Sequence, residues 1–523
     1  MRNSTGPLHG LRFAETGASR TAGYAGRLLA GLGATVLRLR TPADPPRPDW
    51  YDAGKQVRDI AAADVPALIA GGGFAGVVRA PEDPEPLADW AAAGALFLRG
   101  PRPQAGPGRL LAHLRGAALA ARLLGLPVDV AGDRLPGERA ALRGAADAPA
   151  AERCRLYRVA DGHIAVNLAR DEDLDLIPAW LVLAADSPAG ADGPVATREA
   201  ASALLDRLLR AVPAERAVAA AQELGLAVAP VAAPREAAND AQARARGQAG
   251  LPAPWRIETL PGPPASRAGR PPLVVDLTGL WAGPLSTGLL AACGARVVKV
   301  EGPARPDGAR GGDPRFFDLL NAGKRAVALD LRSAAGRAGL DRLLRRADVV
   351  VESLRPRVTE QLGIDPHDWL ATGPGRVWAS ITGYGRTGPW RNRVAFGDDA
   401  AAAAGVAVLS GGPDRPELAG DALADPVTGL HALVAILAAR ADGRSHLVDI
   451  AMREALGHAL GDPDADPECR LPDLTRLRPA GGGWLVDGDP ARPAVAPQAR
   501  TATGRAPGLG ADTDAVLAEL AQP

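Results

Sequence analysis

The stretch LRFAETGASRTAGYAGRLLAGLGATVLRLR at residues 11–40 returns in outline as LVVDLTGLWAGPLSTGLLAACGARVVKVE at residues 273–301. Each is an apolar strand, a Gly/Ala turn, a helical run ending LLAGLGA or LLAACGA, and a second apolar strand. The parallel continues downstream, where DAGKQV (52–57) answers NAGKRAV (321–327) and ALIAGGGFAGVVRA (67–80) answers LLRRADVVVESL (343–354). Internal similarity of this extent decides the architecture before any single residue does. Strand, helix and strand joined this closely make a parallel βαβ unit with a right-handed crossover. Gly33 and Gly294 each follow a helical run, where a left-handed cap ends a helix and turns the chain into the next strand. The expected fold class is therefore α/β. It comprises two Rossmann-like parallel-sheet large domains, the first degenerate, plus a smaller α+β domain.

Between and after the two units the chain changes character. CRLYRVADGHIAVNLAR (154–170) reads as a hairpin whose strands meet at Asp161-Gly162, and ELGLAVAPV (223–231) adds a strand. LPAPWRIETLPGPPASRAGRPP (251–272), dense in Pro and Gly, reads as a linker. A second such stretch runs from about Gly461 to Gly510, before a short helix, DTDAVLAEL. At 523 residues several folding units are expected. The boundaries fall at 1–145 (degenerate half), 151–250 (small domain), 251–270 (linker), 271–460 (intact large domain) and 461–523 (Pro/Gly-rich tail with a terminal helix).

Charge narrows the partners. Lys+Arg and Asp+Glu stand at 60 each, which leaves no global field to draw in nucleic acid or an anionic membrane. Cys154, Cys293 and Cys469 are scattered and form no CxxC pair, so neither a structural zinc nor a disulfide framework is expected. MRNSTGPLHG has no apolar core of the signal-peptide kind, and the longest uncharged stretch, Leu277 to Ala295, is broken by Gly, Pro, Ser and Thr. A soluble, cytoplasmic protein without a metal is expected.

Strand, glycine turn, helix, strand with an acid at Glu301 invites a dinucleotide reading. That fingerprint needs G-x-G-x-x-G so that bare backbone meets pyrophosphate at a helix N-terminus. Here the turn is TGLWAGP: Trp281 stands where the approach should be bare, and Pro284 follows Gly283 at once. NAD and FAD are therefore set aside. A second candidate is Asp425 in AGDALADPVTGLHALVAILAAR (419–440), just before an apolar run from about Gly429 to Arg440. An acid there is first of all a helix N-cap, a very common job for Asp; the functional reading is a carboxylate nucleophile toward an activated acyl group. Basic residues gather in the second unit at Arg305, Arg310, Arg315, Lys324, Arg325, Arg355 and Arg357. Singly these are solvated surface, and together they suit phosphates. His431 and His446 are expected to be structural.

With these elements in order, the chain resembles the family III CoA-transferases of the CaiB/BaiF type. DLTGLWAGP, GARVVKVEGP, NAGKRAVALDL, RADVVVESLRP, PGRVWASITGYGRTGP, ALADPVTGLHALVAILAAR and HLVDIAMREAL match the family's successive signatures across 271–457. Residues 157–247 resemble its smaller domain and residues 10–80 a worn first half of its large domain. The resemblance implies coenzyme A as ligand, an acyl-CoA and a carboxylic acid as substrates, and Asp425 as nucleophile. It implies CoA contacts at Trp281, Ala282, Gly283, Arg305, Lys324, Leu329, Asp330, Ser353, Leu354, Arg355 and Phe396, with Pro284 beside them. Ser353, Leu354 and Phe396 depart from the commonest family residue. Gly302 stands where many members carry arginine, with Arg305 as the compensating cation.

Two other readings follow from the same resemblance. A branch that racemises 2-methylacyl-CoA carries a histidine where this chain has Phe396, and phenylalanine moves no proton. A non-catalytic CoA-binding protein is the other, since PGRLLAHLRGAALAAR (107–122), the first unit's version of the Asp425 helix, lacks the acid. Family members are interlaced dimers whose site lies between one subunit's large domain and the other's small domain. Here each half holds what the other lacks, so a single chain acting as its own pseudo-dimer is the expected assembly.

Overall fold

The computed structural model describes residues 6–144, 153–185, 195–250, 253–265, 270–488 and 490–521. Four strands open the chain: β1 (Arg12–Thr16), β2 (Thr35–Arg40), β3 (Gln56–Asp59) and β4 (Gly76–Val78). They pair in parallel in the order β3-β2-β1-β4. β5 (Cys154–Val159), β6 (Gly162–Asn167) and β7 (Ala227–Pro230) form a small antiparallel sheet, with the hairpin turn before Gly162 as the sequence implies. A seven-stranded sheet follows, built from β8 (Arg256–Thr259), β9 (Leu273–Leu277), β10 (Arg296–Glu301), β11 (Arg325–Ala328), β12 (Val349–Glu352), β13 (Val377–Thr382) and β14 (His446–Ala451). Its order is β11-β10-β9-β12-β13-β14-β8, parallel except for β8. Its first four strands thus repeat the order of the opening sheet.

The two sheets differ in burial for a reason written in their strands. VVVE of β12 and LVVDL of β9 are near-continuous apolar runs covered on both faces, as central parallel strands require. QVRD of β3 is polar and wholly exposed, so the opening sheet ends at water on that side. Helices α1 (Arg20–Gly31) and α3 (Ala282–Ala292) follow β1 and β9, and each gives way to a glycine of positive φ, Gly33 and Gly294.

Two further helices, α2 (Leu110–Leu123) and α5 (Ala424–Asp442), pack on α1 and α3 respectively and on each other. α5 is apolar nearly all round and correspondingly buried. Its Gly429 faces the Ala282 carbonyl so closely that a Cβ there would lie 2.5 Å from the oxygen; Gly116 on α2 meets the Thr21 carbonyl at 2.6 Å in the same way. Tyr24 bonds His431 and Tyr51 bonds His113, each at 2.8 Å, across this helical layer, so His431 is a structural residue.

A buried ion pair recurs in both sheets. Glu15 on β1 lies opposite Arg38 of β2 and meets Lys55 at 2.6 Å; Asp276 on β9 lies opposite Lys299 of β10 and meets Lys324 at 3.0 Å. Burial presses each lysine down to about 8. The longer Glu15 is accommodated by Gly26, where a Cβ would sit 2.0 Å from its carboxylate. The shorter Asp276 instead accepts a hydrogen bond from Thr287 at 2.7 Å.

Two expectations need correction. The linker of residues 251–272 contains strand β8, because WRIET presents a buried Trp255 and an alternating pattern that pairs with β14 along the sheet edge. The tail of 461–523 is not merely a tail. β15 (Leu477–Ala480), β16 (Gly483–Val486) and β17 (Arg492–Pro493) form a second antiparallel sheet, and Arg500 pairs with buried Glu138. A last helix, Thr513–Ala521, places Val516 against the large sheet's apolar cluster. Among the described residues no helix is long and apolar enough to cross a membrane.

Candidate active site

Asp425 stands in the first turn of α5, which begins at Ala424, before the Gly429 start suggested by the apolar run. The cap position belongs to Leu423, whose side chain makes no capping bond, so Asp425 is not an N-cap. Its carboxylate is buried, and its Oδ1 accepts the backbone N–H of Ala282, the first residue of α3, at 3.3 Å. One carboxylate therefore lies between two helix N-termini, the place where partial positive charge favours an anion. Gly397, opening helix α4 (Gly397–Ala404), leaves room for it, since a Cβ there would lie 2.1 Å from Oδ2.

The local backbone is strained on both sides of this carboxylate. Among the described residues, the non-glycines of positive φ are Leu280 (67°), in the turn before α3, and Ala422 (52°), in the turn before α5. Such conformations persist only where the surroundings hold them, and they cluster at functional sites. The Leu280 turn is held by Asp307, which accepts the Leu280 N–H at 2.9 Å. The Ala422 turn is held by Asp398, which accepts the Ala422 N–H at 3.0 Å.

Burial pushes the Asp425 carboxyl up to about 7, against the pull of the Arg139 guanidinium and the Ala282 amide; Asp398 and Asp421 push the same way as burial. Asp399, one turn into α4, is raised to about 7 as well, again by burial first, although it accepts bonds from the Phe396 amide (2.9 Å) and the Asn167 side chain (3.0 Å). A carboxyl with this affinity for a proton can be neutral in the resting protein and still ionise near neutrality, which suits covalent or acid–base work.

A cleft of about 280 Å³ opens over Asp425. Of the residues expected at a ligand, Ala282, Gly283, Arg305, Ser353, Leu354, Arg355 and Phe396 line it together with Asp425. Arg305 and Arg355 have no acidic partner among the described residues, whereas Arg310, Arg315 and Arg325 are tied to Glu301, Asp313 and Glu519. Four expected contacts lie elsewhere. Lys324 is buried beneath α3, its ammonium engaged by Asp276, Pro284, Thr287 and Asn321 at 2.7–3.0 Å, so it holds the sheet together and does not reach the cleft. Leu329 belongs to the apolar cluster under the sheet, and Asp330 pairs with Arg332 on the surface. Trp281 is buried edge-on against Phe316, beneath Arg139.

Several cleft residues carry no signal in the sequence. Arg170 reaches the cleft from the small sheet's side, and Arg393 and Val394 reach it from the loop before α4. The segment carrying the small sheet is fastened there by Gln222 on the Val394 backbone and by Arg246 on Asp449 and Glu454. Arg170, Gln222 and Arg246 are each brought to these partners across more than a hundred positions of sequence, which no local motif can announce.

The profile of the family described as CoA-transferase family III matches residues 112–250 and 272–463, well over half of the chain. Succinyl-CoA–D-citramalate CoA-transferase of Chloroflexus aurantiacus is 33% identical over 263 residues, covering 48% of this chain and 63% of that protein. Formyl-CoA:oxalate CoA-transferase of Escherichia coli is 33% identical over 195 residues, covering 35% and 47%. The chain thus spans between about half and under two thirds of these relatives. A crystal structure of a CAIB/BAIF family protein from Brucella suis is 29% identical with a TM-score of 0.38, covering 41% of this chain and 64% of that one.

Proposed function

Because this chain belongs to CoA-transferase family III, we propose that it moves coenzyme A from an acyl-CoA to a carboxylic acid, with Asp425 as the covalent carrier. The observation that carries this reading is a buried carboxylate at two helix N-termini, under a cleft whose lip holds the acid-free Arg305 and Arg355. The relatives' names pair succinyl-CoA with D-citramalate and formyl-CoA with oxalate, and a pair of that class, acyl-CoA and carboxylate, is proposed here.

In the proposed reaction the Asp425 carboxylate attacks the thioester carbonyl, the C–S bond breaks, and CoA leaves as a thiolate while an acyl-aspartyl anhydride forms. The thiolate then attacks the aspartyl carbonyl of the anhydride, which releases the donor carboxylate and leaves an aspartyl-CoA thioester. The acceptor carboxylate repeats both steps in reverse order and departs as its CoA thioester. The cleft is at the small end for a ligand pocket (about 300 Å³ and above), so it suits the acyl end and the thioester. The phosphates would run over the lip, where Arg305 and Arg355 offer charge-assisted hydrogen bonds. Phe396, which lines the cleft, has no proton to exchange, and this favours transfer over racemisation.

The chain is further read as an internal duplication acting as a pseudo-dimer, with a degenerate half (1–145), a small domain (151–250) and an intact large domain (271–460). The matching strand order and the recurrent Glu15–Lys55 and Asp276–Lys324 pairs support it. So does Arg170, contributed to the Asp425 cleft from the small-domain segment. Incubation with a panel of acyl-CoAs followed by intact-protein mass spectrometry tests the reading. One acyl or CoA adduct per 53.6 kDa chain, absent in Asp425→Asn, with a monomeric mass by light scattering, is expected. Two adducts per chain, or an obligate interlocked dimer, would overturn the one-site assembly, and an adduct surviving in Asp425→Asn would overturn the carrier.

A further inference from the structure

The turn that leads into Asp425 is gripped by the other half of the molecule. Arg139, on the short helix Glu138–Arg143, donates through Nε to Asp421 Oδ2 at 2.9 Å and through a second nitrogen to Oδ1. Arg143 donates to the same carboxylate at 2.8 Å and to the Leu98 carbonyl at 2.8 Å. Arg99 donates to the Gly420 carbonyl at 3.1 Å and lies 3.7 Å from Asp398, the residue that holds the Ala422 amide. Three arginines from residues 99–143 therefore converge on residues 420–422, where the strained Ala422 sits and whose carbonyl accepts the Asp425 N–H at 2.9 Å. Arg139 also lies over the Trp281 ring, 5.5 Å from its centroid, and Trp281 immediately precedes the Ala282 amide that Asp425 accepts. One guanidinium thus touches both turns that frame the carboxylate.

We infer that Arg139 is a positioning residue through which the N-terminal half holds the turn before Asp425 and tunes that carboxylate for attack. The inference rests on Asp425 being the nucleophile and goes beyond it, since it gives the half without a nucleophile a part in the reaction. Two halves that merely packed together would need apolar contact; a fork-to-carboxylate pair supplies direction and charge as well. The charged groups around Asp425 come from each side: Arg139 from the N-terminal half, Asp421 from its own turn and Asp398 from α4, with Arg99 on Asp398 and Arg143 on Asp421, while Arg170, Arg305, Arg355 and Arg393 line the cleft above it. Arg139 lowers the proton affinity of Asp425, while Asp421 and Asp398 raise it. The two members of the Arg139–Asp421 pair therefore act on Asp425 with opposite sign, whereas as structural elements they act together.

That opposition supplies the test. The Asp425 side-chain carboxyl is followed by ¹³C NMR in aspartate-labelled full-length protein, its resonance identified by its loss in Asp425→Asn, alongside the pH profile of transfer. Arg139→Gln is expected to move the Asp425 midpoint and the acidic limb of kcat upward by about one unit, the lower end of what a neighbouring charge does. Activity should then fall several-fold at neutral pH and recover in alkali. Arg139→Lys, which keeps the charge and guards against a failure of Arg139→Gln to fold, should leave the midpoint near that of the wild type. Asp421→Asn should move it downward. Loss of turnover with unmoved midpoints, or a shift of the same sign in Arg139→Gln and Asp421→Asn, would overturn the inference. Midpoints that move as expected in a protein that transfers nothing would support the coupling and remove the transferase reading alone.

Discussion

The two parallel sheets of this chain have clefts at corresponding strand ends, and they treat an anion in opposite ways. Counting from the paired strands, Asp44 falls where Arg305 falls and Glu82 where Arg355 falls. At these equivalent positions the first cleft has Ser19, Asp44 and Glu82, with Arg79 also in its lining, and the second has Leu280, Arg305 and Arg355, with Arg170 and Arg393 also in its lining. The helix termini differ as well. Gly116 and Gly429 make the same close approach to Thr21 and Ala282, which sets Ala112 against Asp425. With no acid on its own helix, the Thr21 amide in the first half turns to Asp83, which also accepts from the Arg20 amide at 2.6 Å and is approached by Arg115. The groups that hold the sheets together are thus shared, and those that would meet a ligand are reversed or closed off. A scaffold needs its buried charges paired whatever it binds; a binding lip answers only to its ligand.

The sharpest way to break this contrast is to remove the one carboxylate that sets the halves apart. Asp425→Asn should lower kcat of CoA transfer by ~10³-fold or more, the scale of losing a covalent carrier. Asp83→Asn, which touches the corresponding amide in the first half, should leave the catalytic rate of the folded protein within a few-fold. Comparable losses in both would mean that the first half carries chemistry of its own. The shared ion pairs give the next largest effect. Lys55→Met and Lys324→Met each remove one partner of a buried carboxylate, leaving Arg47 on Glu15 and Thr278 and Thr287 on Asp276, and should each destabilise the fold by about 1–3 kcal/mol, read as denaturant midpoints. A loss confined to one of them would end the claim of equivalence.

A gentler probe concerns the lips. Arg305→Ala with Arg355→Ala should weaken CoA binding by about 10–100-fold in calorimetry, the worth of two charge-assisted contacts. Asp44→Ala with Glu82→Ala should change it little. The smallest effect is in stability against pH. The Asp425 carboxyl has its folded proton affinity raised to about 7, so its ionisation costs the fold stability as pH rises from the unfolded carboxylate range, near 4, through 7. Asp425→Asn lacks that cost. Its thermal midpoint should match the wild type at pH 4 and exceed it at pH 8, with the gap opening between those values; a gap that is flat across this range would mean the carboxyl is not held protonated.

How much of this was readable from residues alone follows physical lines. The strand–helix–strand units, the capping glycines, the hairpin and the terminal helix come from local pattern, and local pattern is what a sequence displays. Asp425 was visible through its place before an apolar helix, though whether it capped that helix depended on where the first turn began. Lys324 shows the limit most clearly. A lysine in a glycine turn reads as a phosphate ligand, and only the three-dimensional neighbourhood reveals four acceptors already around its ammonium. β8 was hidden because its partner β14 lies far along the chain, and a Pro/Gly-rich flank masked its alternation. Arg139 and Arg170 were unreadable for the same reason: each meets its partners through the packing of separate units.

Under the proposed duplication, the difference between Asp276 with Thr287 and Glu15 with Gly26 would have a genetic consequence. A homodimer is written by one reading frame, so any substitution appears at both sites at once and a change that disarms one disarms the other. Two halves carried in tandem are mutated separately. One reading frame can therefore lengthen a carboxylate and delete a side chain opposite it in one half while the other keeps the original pair. Under the proposed duplication, the first half would be selected for the contacts it makes with its neighbour, those of Arg139 among them, while its ligand-facing positions would be free to drift. The Glu15–Gly26 accommodation is what the proposed history would leave behind: a longer carboxylate met by a missing side chain in one half, where the other has Asp276 and Thr287.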